Sequence, residues 1–134
     1  MAGTHHPPGS RVILDSGAVI GWSRGDERVR ALLREAIAHN LELRVPVVVL
    51  GETLRGNARD APVNRVLKAT GTTATPATTG RRAGSLLGRT GGRNTADALV
   101  AAEALDARGS IVLTSDPDDL SALLADTDAS IIRA

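Results

Sequence analysis

The stretch IVLTSDPDDL, residues 111–120, joins a short apolar run to three aspartates that surround a proline. Residues 111–114 have the continuous apolar pattern of a strand that is buried on both faces, as in parallel sheets. Pro117 is favourable in the first turn of a helix, so a helix is predicted over residues 117–124. The stretch therefore predicts a strand followed directly by a helix, with carboxylates at the carboxyl end of the strand.

The same alternation of strand and helix patterns extends along the rest of the chain. Further strands are predicted at residues 12–14, 41–45 and 131–132, with a weak strand and a turn at residues 71–80. Apolar spacing, capping residues and stop signals predict helices at residues 29–37, 47–55, 63–69, 81–87 and 95–108. Short connections between strands and helices imply βαβ units. The predicted fold class is therefore α/β, a three-layer α/β/α sandwich around a central, mostly parallel sheet.

The length of the chain and its N-terminal composition indicate one domain. A chain of 134 residues is long enough to bury a core of its own. Residues 1–10 include His5, His6 and two prolines and are predicted to form a flexible tail. A histidine pair in such a tail is more often exposed than bound to metal. Residues 11–134 are predicted to form the single folded domain.

The composition excludes several functional classes. The chain has no cysteine, which removes disulfides, thiolate zinc sites and a cysteine nucleophile. No secretory signal and no apolar stretch long enough to span a bilayer is recognisable, so a soluble cytoplasmic protein without membrane association is expected. The formal net charge is +1, so any affinity for nucleic acid must come from local patches. With one Trp, no Phe and no Tyr, the core must consist of Val, Leu, Ile and Ala.

Four acidic residues are placed by these predictions at one edge of the sheet. Asp15 and Asp116 lie at the carboxyl ends of predicted strands, and Glu52 and Asp97 lie on helices that flank the same edge. In open parallel sheets, ligands bind outside the carboxyl ends of the strands. Four uncompensated carboxylates at close range would repel one another and partly protonate, and a divalent cation removes that conflict. Because oxygen ligands select hard ions, the constellation predicts a site for Mg²⁺ or Mn²⁺.

The acids that follow the last long strand also have a structural interpretation. Asp116 is suited to cap the helix that begins at Pro117, since aspartate is a favoured N-cap residue. Asp118 and Asp119 are interpreted as first-turn residues that are favoured by the helix dipole, with contact of one of them to metal-bound water as the alternative. A capping role and a functional role for Asp116 are compatible, because a cap also fixes the direction of its carboxylate.

The other acids have similar alternatives. Asn94 followed three residues later by Asp97 resembles a capping box. Asp15 is suited to a turn with the serine and glycine that follow it. Glu52 is placed one turn before Arg55 and can pair with it. Each acid alone is weak evidence for a site, and the constellation carries the hypothesis.

Four segments of the chain contain these acids in apolar context: LDSGAVI (residues 14–20), GETLRG (residues 51–56), TADALVAAEAL (residues 95–105) and LTSDPDDL (residues 113–120). In this order and spacing they resemble the motifs of the PIN domain family, and the compact length resembles the VapC-type toxins of bacterial toxin–antitoxin pairs. The resemblance covers residues 11–134. It implies a PIN-like sandwich and a metal-dependent endoribonuclease that acts as a toxin.

The resemblance also implies roles for individual residues. It assigns catalysis and the binding of Mg²⁺ or Mn²⁺ to Asp15, Glu52, Asp97 and Asp116. It assigns supporting positions beside the acids to Ser16, Thr114 and Ser115. It further implies an RNA substrate, a cognate antitoxin that blocks the site, and a homodimer as the usual assembly.

Arginines before Asp97 are candidates for binding the RNA backbone: Arg81, Arg82, Arg89 and Arg93. A solvated helix face is the competing interpretation. A different functional class also remains open, namely a non-catalytic interaction module whose acidic pocket receives arginines of a partner protein. Affinity for Mn²⁺ separates the two classes, because a pocket built only for arginine need not bind a metal ion.

Overall fold

The computed structural model of the chain describes residues 10–72 and 74–134. The predicted tail and its histidine pair lie outside this range, apart from Ser10. Ser10 is buried, and its hydroxyl donates a hydrogen bond of 2.9 Å to the carbonyl oxygen of Arg108. None of the described helices is long and apolar enough to cross a bilayer.

Four parallel strands form the central sheet of the described residues: β1 (Arg11–Leu14), β2 (Glu42–Arg44), β3 (Ile111–Thr114) and β4 (Ser130–Arg133). Their order in the sheet is β2-β1-β3-β4. Leu14 pairs with Leu113, so the carboxyl ends of β1 and β3 lie side by side. The α/β fold is confirmed, and the described sheet is wholly parallel.

Seven α-helices occur among the described residues: α1 (Ser16–Ser23), α2 (Glu27–Ala38), α3 (Val47–Thr53), α4 (Ala61–Leu67), α5 (Ala77–Thr90), α6 (Thr95–Leu105) and α7 (Pro117–Leu123). Strand-to-strand crossovers of parallel sheets are right-handed, which places α1 and α2 on one face of the sheet and α6 and α7 on the other. The sheet is thus the middle layer of three. Helix α5 packs along α6 as an antiparallel hairpin.

The core has the aliphatic composition that the sequence predicted. Ile13, Leu14 and Val112 are completely buried in the two central strands. Helix α6 contributes four completely buried alanines: Ala98, Ala101, Ala102 and Ala104. Because alanine adds only a methyl group, α6 can approach the sheet closely, and this brings its first turn to the carboxyl ends of β1 and β3.

Two segments differ from the sequence predictions. Residues 16–23 form helix α1, where only a turn after Asp15 was predicted. Residues 71–80 contain no described strand beyond a single bridge between Gly71 and Arg44, and α5 begins at Ala77 instead of residue 81. Helix α1 is apolar around its circumference and contains glycine, so it lacks the spacing that marks a surface helix. The early start of α5 follows Pro76, which ends the extended segment before it.

Candidate active site

Asp15 is built into the junction of β1 and α1. It is the N-cap of α1, and its Oδ1 accepts a hydrogen bond of 2.9 Å from the backbone N–H of Ala18. Its Oδ2 accepts a short hydrogen bond from the hydroxyl of Thr114. The residue is only 8% exposed. Asp15 is therefore a helix cap and not merely a turn residue, and both of its oxygens are held in place.

Thr114 links the ends of the two central strands. It is completely buried, and its Oγ1 accepts a hydrogen bond of 2.9 Å from the backbone N–H of Asp116. A hydroxyl has one proton to donate, and in Thr114 that proton goes to Asp15. The predicted supporting position of Thr114 thus lies between two of the predicted acids.

The glycine after Ser16 permits the close approach of α1 to the end of β3. A Cβ atom placed on Gly17 would lie 1.9 Å from Oγ of Ser115 and 2.5 Å from its Cβ. Neither distance is possible between real atoms, so any larger residue at this position must displace Ser115. Ser16 and Ser115 lie beside Asp15, and within the described residues their hydroxyls make no hydrogen bond.

Asp97 lies in the first turn of α6. Its backbone N–H donates a hydrogen bond of 3.0 Å to Oδ1 of Asn94, the N-cap of the helix. This is one half of the predicted capping box. The carboxylate of Asp97 does not complete it and makes no hydrogen bond or ion pair with any other described residue. It is therefore half-buried without a partner of opposite charge.

The pKa of Asp97 reports the convergence of the acids. Burial, which is the largest cause, and repulsion from four neighbouring carboxylates together raise this pKa from 3.8 to about 6. In order of decreasing effect, these neighbours are Asp119, Asp116, Asp15 and Glu52. The other three sequence-predicted acids thus lie within electrostatic range of Asp97, and Asp119 does so as well.

Asp116 and Asp119 lie on the first turn of α7. Asp116 occupies the N-cap position, but its side chain makes no capping hydrogen bond. The capping interpretation of its carboxylate is therefore wrong for this structure. The sequence favours a helix-dipole role for Asp119, yet this residue has the strongest electrostatic effect of any acid on Asp97. The signal for it was the spacing of three residues from Asp116, which places both side chains on the same face of the helix.

Glu52 lies on the exposed last turn of α3. It makes no ion pair with Arg55, whose guanidinium instead donates to the carbonyl oxygens of Gly51, at 3.0 Å, and Leu54, at 2.9 Å. Downstream, the carboxylate of Asp60 accepts hydrogen bonds from the backbone N–H of Arg55, and this lowers the pKa of Asp60. The loop after Glu52 is thereby anchored, while the Glu52 carboxylate stays free.

The acids suit a hard divalent cation in charge and in donor type. They supply oxygen ligands only, and a cation would relieve the repulsion that raises the pKa of Asp97. As the described side chains stand, no three His, Cys, Asp or Glu groups are close enough together to hold a metal ion. Closing such a site requires rotation of the exposed side chains toward Asp15, which is fixed by its hydrogen bonds.

The candidate arginines fall at two ends of the α5–α6 hairpin. Arg82, at the start of α5 beside Arg81, pairs with Asp106 beyond the end of α6 at 3.2 Å. Arg93, in the loop before α6, lines the same cleft as Asp97. The hairpin therefore places Arg93 beside the acids and Arg82 at the far end of α6.

A separate apolar cavity lies away from the acids in the described part of the chain. It has a volume of about 270 Å³ and lies between α2 and the sheet, where it is lined mostly by aliphatic side chains such as Leu32, Ala36 and Ile132. None of the clustered acids lines it. The chemistry of the acids is thus separate from this apolar cavity.

The fold and the site together define a class: α/β domains with an acidic site at the carboxyl edge of a parallel sheet. Within that class, the chain belongs to the PIN domain family, whose model matches residues 12–123. PIN domains are generally nucleases, and they generally use divalent metal ions. No curated protein sequence is significantly similar to this chain.

Solved structures share the fold at low sequence identity. The chain resembles VapBC2 from Rickettsia felis, bound to a DNA fragment from its promoter, with a TM-score of 0.73, 14% identity, and 92% of this chain and 98% of that chain covered. FitAB bound to an IR36 DNA fragment matches with a TM-score of 0.60 and 19% identity, with 91% of this chain and 94% of that chain covered. FitAcB from Neisseria gonorrhoeae matches with a TM-score of 0.56 and 19% identity, with 90% of this chain and 96% of that chain covered. At these identities the likeness establishes the fold.

Proposed function

We propose that this chain is a metal-dependent endoribonuclease and that it acts in the bacterial cytoplasm as the toxin of a toxin–antitoxin pair. The observation that carries the proposal is the half-buried carboxylate of Asp97, which lies near other carboxylates without forming an ion pair with any described residue and whose pKa is therefore raised. Such repulsion is costly unless a ligand offsets it. The general nuclease activity of PIN domains supports a nucleic-acid phosphodiester as the substrate, and the VapC-type resemblance of the sequence favours RNA.

The residues that would hold Mg²⁺ or Mn²⁺ are Asp15, Asp97 and Asp116, helped by Glu52 and joined by Asp119. A bound cation would supply the activation of water and the neutralisation of charge that develops on the phosphodiester. Asp15 orients the set, because both its oxygens are fixed by hydrogen bonds. Asp97 must be ionised to act as a ligand, so binding strengthens as the pH rises through about 6.

We also propose a cognate antitoxin as partner and a homodimer as the assembly. The VapC-type resemblance of the sequence supports both, and the likeness to chains from VapBC2 and FitAB supports the antitoxin partner. A partner that blocks the site needs cationic side chains, because the site presents unpaired carboxylates. Arginine suits this role through its bidentate hydrogen bonds to carboxylates.

The decisive test is a titration of Mn²⁺ into the purified chain, followed by electron paramagnetic resonance of the free ion. Asp15→Asn and Asp97→Asn are expected to lose binding and the cleavage of cellular RNA. Asp126→Asn is the matched control, because Asp126 is exposed, lies beyond α7 and has a positive φ of 61° that asparagine tolerates. It is expected to behave as wild type.

A folded wild-type chain that binds no Mn²⁺ at millimolar concentration would overturn the metal-dependent nuclease. That result would favour the interaction module, in which the same carboxylates receive arginines of a partner. Binding of Mn²⁺ that survives in both Asn variants would place the metal elsewhere on the chain.

A further inference from the structure

A cleft of about 200 Å³ opens beside Asp97, between the end of α5, the loop before α6, and α7. Leu87, Ala122 and Leu123 are the aliphatic part of its lining, which we call the apolar floor. Arg93 also lines the cleft, as do the acids Asp97, Asp118 and Asp119. The cleft is thus continuous with the acidic site through Asp97, but it has an apolar floor that a metal site does not need.

Opposite charges face this cleft without neutralising each other. Arg93 lines it together with Asp97 and Asp119, yet the guanidinium forms no ion pair within 4.0 Å with any described residue. Opposite charges that line one cleft without forming an ion pair suit a ligand that can contact both. A phosphodiester strand is such a ligand, since one phosphate can bind arginine while its neighbour binds a cation held by the acids.

We infer that this cleft is the subsite for the nucleotide next to the phosphodiester that is cleaved, an inference that rests on the proposed function. Arg93 binds the phosphate of that nucleotide, and the apolar floor contacts its base. The cleft is smaller than the roughly 300 Å³ at which pockets for whole small molecules begin, which suits one nucleotide of a longer strand. No aromatic residue lines it, so the base is contacted by aliphatic side chains and not stacked.

The first test removes the charge. Arg93→Ala is compared with Arg34→Ala, which removes an equal charge from the exposed face of α2. The probe is a short, fluorescently labelled, single-stranded RNA of random sequence, bound at several salt concentrations in the presence of Mn²⁺. Arg93→Ala is expected to weaken binding about tenfold and to reduce the salt slope by about 0.7, as for one lost contact to a single strand. Arg34→Ala is expected to change neither value.

The second test fills the cleft without changing any charge. Ala122→Phe places a ring over the apolar floor, whereas Ser121→Phe adds the same ring at the neighbouring exposed position of α7, which does not line the cleft. Ala122→Phe is expected to weaken RNA binding about tenfold with an unchanged salt slope, because no phosphate contact is lost. Ser121→Phe is expected to bind as wild type.

Titration of Mn²⁺ into each variant distinguishes a failure of the proposed subsite from a failure of the proposed function. Wild-type Mn²⁺ affinity in Arg93→Ala and Ala122→Phe, with weakened RNA binding, supports the subsite. Wild-type RNA binding in both variants overturns the subsite and leaves the proposed function standing. A wild-type chain that binds neither Mn²⁺ nor RNA overturns the proposed function and the subsite together.

Discussion

Two parts of the acidic edge differ in how their carboxylates are held. At the junction of β1, α1 and β3, both oxygens of Asp15 accept hydrogen bonds and the side chain is buried. On α3, α6 and α7, the carboxylates of Glu52, Asp97 and Asp116 have no partner among the described residues. The carboxylate of the first part stabilises the fold through its hydrogen bonds. The carboxylates of the second part repel one another, and a cationic ligand would remove this repulsion. Substitutions in the two parts should therefore change stability in opposite directions.

The largest effect is expected for Asp15→Ala. This change removes the cap of α1 and leaves the buried hydroxyl of Thr114 without its acceptor. We expect the free energy of unfolding to fall by about 3 kcal/mol, the sum of a lost cap and an unsatisfied buried group. Urea denaturation measures the change. Asp15→Asn keeps a capping oxygen and should therefore lose less stability. An Asp15→Ala variant as stable as wild type would show that Asp15 does not stabilise the fold.

Gly17→Ala tests how tightly the same junction is packed. The added methyl group must displace Ser115, because its Cβ would lie 2.5 Å from the Cβ of Ser115. Overpacking of this kind costs about 2 kcal/mol, and the better helix propensity of alanine offsets part of it. Ser115→Gly in the same chain should recover most of the loss. A double-mutant cycle with no coupling between the two positions would contradict the close contact.

Asp97→Asn should instead raise the free energy of unfolding of the metal-free protein. The folded-state pKa of Asp97 is raised to about 6 from 3.8, so the native state binds more protons than the unfolded chain between these values. Stability therefore falls as the pH rises through this window, and the cost is fully present above about pH 6. The whole shift corresponds to about 3 kcal/mol, and solvent contact of the half-buried side chain reduces the expected gain to about 1 kcal/mol.

Thermal denaturation in the presence of a chelator measures this gain. Asp97→Asn should melt above wild type at about pH 8 and together with it below about pH 4, where the wild-type carboxyl is protonated in both states. Addition of Mn²⁺ should reverse the order, because only the wild type gains stability from the ion. A variant that is less stable than wild type at every pH would show that Asp97 supports the fold instead of straining it.

Local pattern was sufficient for some elements of this edge and not for others. The strands before Asp15 and Asp116 are continuous apolar runs, so the sequence placed both acids at strand ends. Helix α1 was missed because SGAVIGWS is apolar on all sides and contains two glycines. The cap that stabilises it had been interpreted as a turn. The decisive contact comes from Thr114, which is 99 residues away in the chain and lies beyond any local pattern.

The residues of the site could also be predicted only in part from local sequence patterns. The quartet could be proposed from order and spacing, whereas the importance of Asp119 depends on how α7 faces α6. The four candidate arginines were equivalent in the sequence, and the antiparallel packing of α5 on α6 separates Arg93 from Arg82. Such distinctions depend on the relative placement of helices, which residues far apart in the chain determine together.

Glu52→Gln should have the smallest effect and marks the outer limit of the strained part. Glu52 is exposed and has the weakest of the four electrostatic effects on Asp97, so its loss should change the free energy of unfolding by less than about 0.5 kcal/mol. Affinity for Mn²⁺ should fall, but by less than in Asp97→Asn, because the distant carboxylate contributes charge to a site whose other acids remain. Electron paramagnetic resonance of free Mn²⁺ compares the two variants directly. An equal loss in both would mean that α3 moves toward α6 when the ion binds, and that the free side chains on the three helices form one closed ligand set around the fixed carboxylate of Asp15.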